Sequence, residues 1–298
     1  MPSVAAASRV LLLTQSFHCF DYFHKQDAAA ALGMTFFEQR AIPLIHLVSP
    51  MLSLDRSSIQ AADYARYRTA YPTALYDWLL PQVESRERAW DCATGNGQVA
   101  AVLAESFIRV DATDLSKNQL AEAAPRPNIH YQWATAEHTP FPAQRFDLIT
   151  VAQAVHWFDN AAYHREVRRV ARPGAVLAEW GYQLCRLEMP ELNQVLDGFH
   201  DVTSAPYWDA NRRHIENEYV DLPFPCADVQ RARFAVEKRW TADDMLNYLR
   251  TWSAAVNYAR QHAGADIVAL VADELTRLWG PQARRITFPI FARAGRVE

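Results

Sequence analysis

Short apolar runs alternate with amphipathic stretches between residues 88 and 183, and the alternation predicts strands separated by helices. RAWDCA (88–93), FIRVDATD (107–114), IHYQWA (129–134), FDLITVAQA (146–154) and AVLAEWGYQ (175–183) read as strands. Gly97 to Ser106 reads as a small-residue helix. Ser116 to Gln119 is a capping box opening a helix that Pro125 closes. From Asn160 to Arg172, Tyr163, Val167 and Val170 fall on one helical face, and Pro173-Gly174 stops the helix. Strands and helices in this order call for a doubly wound, mostly parallel α/β sheet.

The pattern changes on both flanks. Upstream, DYARYRTAYPTALYDWLL (63–80) reads as a helix broken at Pro72 and then resumed. Residues 1–55 show no sustained period and few caps, so a loosely attached arm, or an extension before a natural start near Met51, is expected there. Downstream, residues 183–230 are irregular and rich in aromatic, proline and charged residues. RFAVEKRW (233–240) reads as a strand, helices follow, and the terminal RITFPIFARAGRVE is strand-like. Between Asp266 and Trp279, Ile267, Leu270, Val271, Leu275 and Leu278 align. There is no internal repeat.

Composition narrows the class. Half of the 298 residues are hydrophobic and 21% are charged, ordinary for a soluble globular chain able to bury a large core. The net charge of -4 argues against a nucleic-acid surface. Arginines 165, 168, 169 and 172 read as solvated charges favoured by a helix dipole, not as a phosphate track. Cys19, Cys92, Cys185 and Cys226 are scattered, as in a reduced cytoplasmic protein, and no His/Cys spacing suggests a metal site. No apolar run approaches the roughly 18 residues of a membrane span. The start, MPSVAAASRVLLLTQSF, is too short in its apolar core for a convincing signal peptide.

Candidate chemistry centres on AWDCATGNGQVA (89–100), an apolar strand, a glycine turn and a helix start. Gly95, Gly97 and Ala100 match the G-x-G-x-x-G/A spacing of dinucleotide-binding turns, and Asp114 follows Gly95 by 19 positions. Such a turn presents free N–H groups at a helix N-terminus. Taken alone, it suits a nicotinamide enzyme as well as other nucleoside-containing cofactors.

The surroundings favour one family. Asp91 inside the strand, ATGNG, Asp114, AEHTPF, FDLITVAQAVHWF and ARPGAVLAEW occur in an order that resembles class I S-adenosylmethionine-dependent methyltransferases. YARYRTAYP, AQAVHWFD and FPIFARAGRV are most similar to the trans-aconitate methyltransferase-like group. The resemblance covers most of residues 57–298. It implies a seven-stranded sheet with an antiparallel last strand, and an inserted substrate cap. The implied methyltransferase domain, 56–298, has a cofactor core at 56–182, cap insertions at 183–232 and 241–283, and last strands at 233–240 and 286–297.

The same resemblance implies S-adenosyl-L-methionine as cofactor. Asp114 would accept hydrogen bonds from the ribose hydroxyls, since Ser116 already serves as the helix cap. Asp91 would face the cofactor amino group, directly or through water, rather than stand as a solvated strand-end acid. Gly95 and Gly97 would give the close backbone approach, and Arg68 would pair with the methionine carboxylate. Leu115 would pack on adenine, Thr135, Ala136 and Glu137 would contact the base, and Gln153 would lie near the methionyl end. Ala93 stands where a first glycine is common, which ordinary β conformation tolerates and a positive φ would not. Thr135 replaces a frequent aspartate, and Ala175 replaces a second glycine after Gly174. Tyr64, Tyr67 and Tyr71 would close over the site or merely pack.

His156 and Trp157 follow the fourth strand, where the transferred methyl should point. His156 would act as general base toward a hydroxyl, or with Trp157 as a donor to a carboxylate; both could equally pack the pocket lip. Tyr207, Trp208, Arg212, Arg213 and Tyr219 are candidates to line a substrate pocket. O-methylation of a small carboxylic acid is the leading expectation, with hydroxyl or carbon methylation open. A cofactor-binding relic without turnover and a nicotinamide-dependent reductase remain as alternatives, while the charge balance disfavours a macromolecular acceptor.

Overall fold

The computed structural model describes residues 70–298. The expected arm at 1–55, together with Tyr64, Tyr67 and Arg68, lies outside those residues.

The alternating half folds as strand and helix in turn. After Pro72, α1 spans Thr73–Leu79 and buries Leu75, Tyr76 and Leu79. Then follow β1 (Arg88–Cys92), α2 (Gln98–Leu103), β2 (Arg109–Asp114), α3 (Lys117–Ala121) and β3 (Ile129–Trp133). β4 (Phe146–Ala152), α4 (Asn160–Val170) and β5 (Ala171–Tyr182) complete it. Every pairing among β1 to β5 is parallel. Helices on both faces explain why central strands such as FDLITV are buried at every position rather than at alternate ones.

The side-chain alternation of β5 separates two cores. Val176, Ala178 and Trp180 point to one, with Leu75 and Leu79 of α1 and Leu103 of α2. Ala175 and Leu177 point to the other, with Tyr163, Val167 and Val170 of α4. Each fully buried side chain of this size contributes roughly 1.5–3 kcal/mol.

The second half is β6 (Arg186–Leu187), α5 (Pro190–Gly198), α6 (Arg212–Glu216), β7 (Cys226–Trp240), α7 (Ala242–Arg250), α8 (Ser253–Gln261), α9 (Ala269–Trp279) and β8 (Arg284–Val297). β8 runs antiparallel to β5, β6 and β7. The sheet order is β3-β2-β1-β4-β5-β8-β6, with β7 also on β8. It therefore has eight strands, not seven, because the two-residue β6 pairs with Thr287 and Ile286.

Several local expectations differ from the structure. α4 ends at Val170 and β5 begins at the next residue. Arg172-Pro173-Gly174 sits in a bulge, where Pro173 has no N–H to give the ladder and Gly174 adopts φ +79°. β7 begins at Cys226 rather than 233. Its first half is largely exposed and is held by the backbone ladder to β8, so it lacks an apolar signature. Leu270 falls off the apolar stripe of α9 and is 68% exposed.

Arg165, Arg168 and Arg169 are exposed, with Arg168 and Arg169 in the last turn of α4 as expected, and three of the four arginines also hold partners. Arg169 donates to Glu166 and to the Phe141 carbonyl, Arg172 bridges Glu87 and Asp147, and Arg168 donates to the Glu298 backbone carbonyl. Arg165 alone of the four is exposed without such a bond among the described residues.

Candidate functional site

From β1 the chain runs outward through β2 and β3, then returns to build β4 and β5 on the other side. The reversal leaves a crevice at the carboxyl ends of β1 and β4, where open α/β sheets bind ligands. A cavity of about 270 Å³ opens there. It collects Ala93, Gly95, Asp114, Leu115, Thr135, Ala136, Glu137, Gln153, His156 and Trp157. Asp91 and Gly97 do not line it, and Arg68 lies outside the described residues.

The glycine turn is built from beneath. Asp91 is 1% exposed, and its carboxylate accepts the Thr94 hydroxyl at 2.5 Å, the Ala100 N–H at 3.0 Å and the Thr150 hydroxyl at 2.9 Å. Asp91 is thus an internal brace joining β1, the turn and the start of α2, and not a solvated strand-end acid. Burial, against these three hydrogen bonds, pushes the Asp91 pKa up to about 6. Gly97, at φ +82°, precedes α2, and a Cβ there would stand 2.3 Å from the Tyr131 hydroxyl. Glycine at this position gives both steric clearance and the left-handed φ that leads into α2.

Ala93 corrects another expectation. Its φ is +54°, the left-handed region, so the alanine takes the conformation a glycine would adopt freely. The Thr94 N–H donates to the Thr113 carbonyl at 2.9 Å, which fixes the chain immediately after this residue. Gly95 also has a positive φ, +58°, and a Cβ added there would meet nothing closer than 3.8 Å.

Asp114 ends β2 half-buried in the cavity wall. One oxygen accepts the Gly95 N–H at 2.8 Å and the other the Ser116 N–H at 2.7 Å. Ser116 caps α3 by accepting the Gln119 N–H at 3.3 Å. A carboxylate at a strand end, facing the cavity and accepting several hydrogen bonds, is the acceptor type that suits the hydroxyls of a ribose. Next to it, Thr135 and Glu137 are half-buried and Ala136 is buried. Glu137 accepts the Asp159 N–H at 3.1 Å, which ties this wall to the N-terminus of α4.

Beyond β4 the backbone turns sharply. Gln153 has φ +57°, and its side chain accepts the Tyr182 N–H at 2.8 Å and donates to the Tyr182 carbonyl at 3.4 Å. It thus extends the β4–β5 pairing while lining the cavity. A short 3₁₀ turn, Val155–Trp157, follows. His156 is 6% exposed, its Nδ1 lies 3.1 Å from the Tyr219 hydroxyl, and the two rings stack at 5.9 Å.

Tyr219 is held in turn by a buried ion pair. Arg293, 2% exposed, donates to Glu179 at 2.7 and 3.0 Å and to the carbonyls of Tyr219 and Leu222. Burial drives the Tyr219 hydroxyl far above the ordinary tyrosine range, with Glu179 adding to the shift and Arg293 and Arg212 opposing it. Tyr219 therefore remains a neutral hydroxyl against the imidazole.

The segments after β5 close the other side. Trp208, Arg212 and Ile215 line the cavity, as do Tyr248, Trp252 and Val256 of α7, α8 and their junction. Of the sequence candidates, Trp208 and Arg212 reach the cavity, and Tyr219 stands behind His156. Tyr207 instead lies 3.2 Å from His262, and Arg213 is exposed. Tyr248 and Trp252 were not legible in advance, because an aromatic residue on an amphipathic helix looks the same whether it faces a core or a cavity. Among the described residues, no group of three or more His, Cys, Asp or Glu could hold a metal. None of their helices is long and apolar enough to cross a membrane.

Residues 90–178 match the methyltransferase domain family. A provisionally named type II methyltransferase from Anaeromyxobacter dehalogenans has a solved structure that is 41% identical, covering 77% of this chain and 97% of that one, with a TM-score of 0.69. A provisionally named methyltransferase of Dictyostelium discoideum is 28% identical over 228 residues, 76% of this chain and 86% of that protein. An uncharacterised methyltransferase of Mycobacterium tuberculosis is 37% identical over 171 residues, 56% of this chain and 64% of that protein. With the reversed parallel sheet, the antiparallel β8 and the cavity at the strand ends, these similarities establish that the chain belongs to the class I S-adenosylmethionine-dependent methyltransferases.

Proposed function

We propose that this methyltransferase acts on a small molecule and methylates a carboxylate oxygen. The observation that carries the proposal is the single cavity shared by the β-strand ends, with Asp114 and Gly95, and by His156, Trp157 and Arg212 opposite them. A lining that is a strand-end turn on one side and an aromatic cap on the other suits a cofactor with a small acceptor beside it.

In this reading Asp114 holds the ribose hydroxyls, Leu115 and Ala136 flank the adenine, and Thr135 and Glu137 lie at its edge. Ala93 and Gly95 let the backbone approach the methionyl portion, Gln153 fixes the turn beside it, and Arg68 pairs with its carboxylate. Residues 56–182 act as the cofactor core, and 183–232 with 241–283 as the substrate cap. When bound, S-adenosylmethionine supplies an electrophilic methyl carbon whose bond to sulfur breaks as the acceptor oxygen forms its own, leaving a methyl ester and S-adenosylhomocysteine.

The protein's task is then orientation and water exclusion, which supply about 7–11 kcal/mol in favourable intramolecular analogues. A carboxylate is already ionised at neutral pH and has no proton to lose. His156, steadied by Tyr219, and Trp157 need only orient it. The trans-aconitate methyltransferase-like resemblance supports the same chemistry. Free Cys92, Cys185 and Cys226 suit a reducing, cytoplasmic setting.

The test is transfer of labelled methyl from S-adenosylmethionine to a panel of small acids and phenols. Methyl esters of acids support the reading. Methyl ethers of phenols alone would replace it with hydroxyl methylation.

A further inference from the structure

The cavity's cap side has a character of its own. Trp208 and Trp252 stand with ring centroids 5.2 Å apart, and Tyr248 meets Trp252 edge-on at 5.9 Å. All three line the cavity, as does Ile215. The Arg212 guanidinium lies over the Trp208 ring, 4.7 Å from its centroid. Its Nε is buried without a hydrogen-bond partner, and the nearest carboxylate, on Glu216, is 3.6 Å away. Among the described residues, four formal charges line the cavity: Asp114, Glu137 and Asp209 are acids, and Arg212 is the one arginine.

This arrangement favours one kind of acceptor. A guanidinium stacked on an indole keeps its planar edge available for a bidentate carboxylate. Aromatic walls favour a ring or other broad apolar body over a hydrated one. A polyanion would bring extra charges toward Asp209, with Arg212 the one arginine among the described lining residues to meet them. The pair of hydrogen bonds from Arg212 uses one lone pair on each carboxylate oxygen and leaves another for the attack.

We propose that Arg212 is the specificity-determining anchor for an acceptor that is an aryl or similarly apolar monocarboxylic acid, its body resting against Trp208, Tyr248 and Trp252. The inference rests on the carboxylate reading above and adds the acceptor's shape, its single charge and the residue that selects it.

The probes are cinnamate, cinnamamide and citrate, assayed for labelled methyl transfer and for binding to protein saturated with S-adenosylhomocysteine. The wild type should bind and methylate cinnamate, with cinnamamide and citrate far weaker. Arg212→Gln should raise KM for cinnamate roughly 10–100-fold, the loss expected of a charge-assisted pair, with kcat changed much less. Arg212→Lys should fall between, because it keeps the charge and loses the planar fork. Affinity for S-adenosylhomocysteine should be unchanged in both.

Preference for citrate, or an unchanged KM in Arg212→Gln, overturns the anchor while leaving carboxylate methylation standing. Methylation of phenols and of no acid overturns both. If Arg212→Gln does not fold, equal binding of cinnamate and cinnamamide by the wild type overturns the anchor instead.

Discussion

The Asp114 carboxylate accepts the Gly95 N–H at 2.8 Å, joining the end of β2 to the glycine turn after β1. The acid that faces the cavity therefore also sets the turn that a cofactor must approach. Asp114→Ala should remain folded and lose most of the thermal stabilisation given by S-adenosylhomocysteine. A charge-assisted hydrogen bond is worth about 1.5–3 kcal/mol, so affinity should fall roughly 10–100-fold. Asp114→Asn, which keeps one acceptor, should lose less. Calorimetric titration reads both variants, and NADH should stabilise none of the proteins.

Ala93 offers a test in the opposite direction. An L-residue in the left-handed region costs about 1–2 kcal/mol, and glycine's extra chain entropy costs about 0.5–1 kcal/mol. Ala93→Gly should therefore leave the protein slightly more stable, by roughly 0.5–1 kcal/mol, as measured by urea unfolding. A destabilised glycine variant would show that φ +54° at this position is not strained.

Asp91 should leave a signature in the pH dependence of stability. Burial holds its folded pKa up to about 6, against an ordinary value of 3.8. Between these values the folded protein keeps a proton that the unfolded chain releases. The group's stabilising contribution is thus fully present below about pH 4 and is lost as pH rises to about 6. Two pKa units correspond to about 3 kcal/mol. In Asp91→Asn this loss should vanish, so the difference in unfolding free energy between wild type and variant should shift by about that amount over pH 4 to 6.5. A constant difference would refute the buried, proton-holding carboxyl.

His156 and Tyr219 separate orientation from proton transfer. Tyr219→Phe keeps the ring that meets Phe291 and removes the hydroxyl beside Nδ1. Stability should drop by about 1 kcal/mol, and kcat should fall as the imidazole loses its orientation. His156→Gln retains a donor and cannot serve as a base. With an acid acceptor it should keep much of the wild-type rate between pH 5.5 and 9. With a hydroxyl acceptor it should lose roughly 10²–10⁴-fold, the contribution of a general base.

Much of the fold was legible in the chain because its signals are local. Buried parallel strands need mostly apolar runs, so FDLITV declares itself, as does the α4 stripe of Tyr163, Val167 and Val170. The first half of β7, residues 226–232, escaped because an edge strand held by its ladder needs no such run. Most of the cavity-lining positions at the strand ends were legible for the same reason, since a turn at a strand end must carry its glycines and its acid at fixed spacing. What the sequence determined, then, was the order of strands and the turn between β1 and α2.

Tertiary structure decided what each acid and aromatic faces. Asp91 and Asp114 both belong to the strand-end pattern, yet one is buried under the turn with three internal donors and the other opens to the cavity. Tyr219 reaches His156 across 63 positions, and Trp252 meets Trp208 across the cap. Such contacts depend on how separate elements dock, and docking is governed by the summed burial of whole faces. No residue spacing records it.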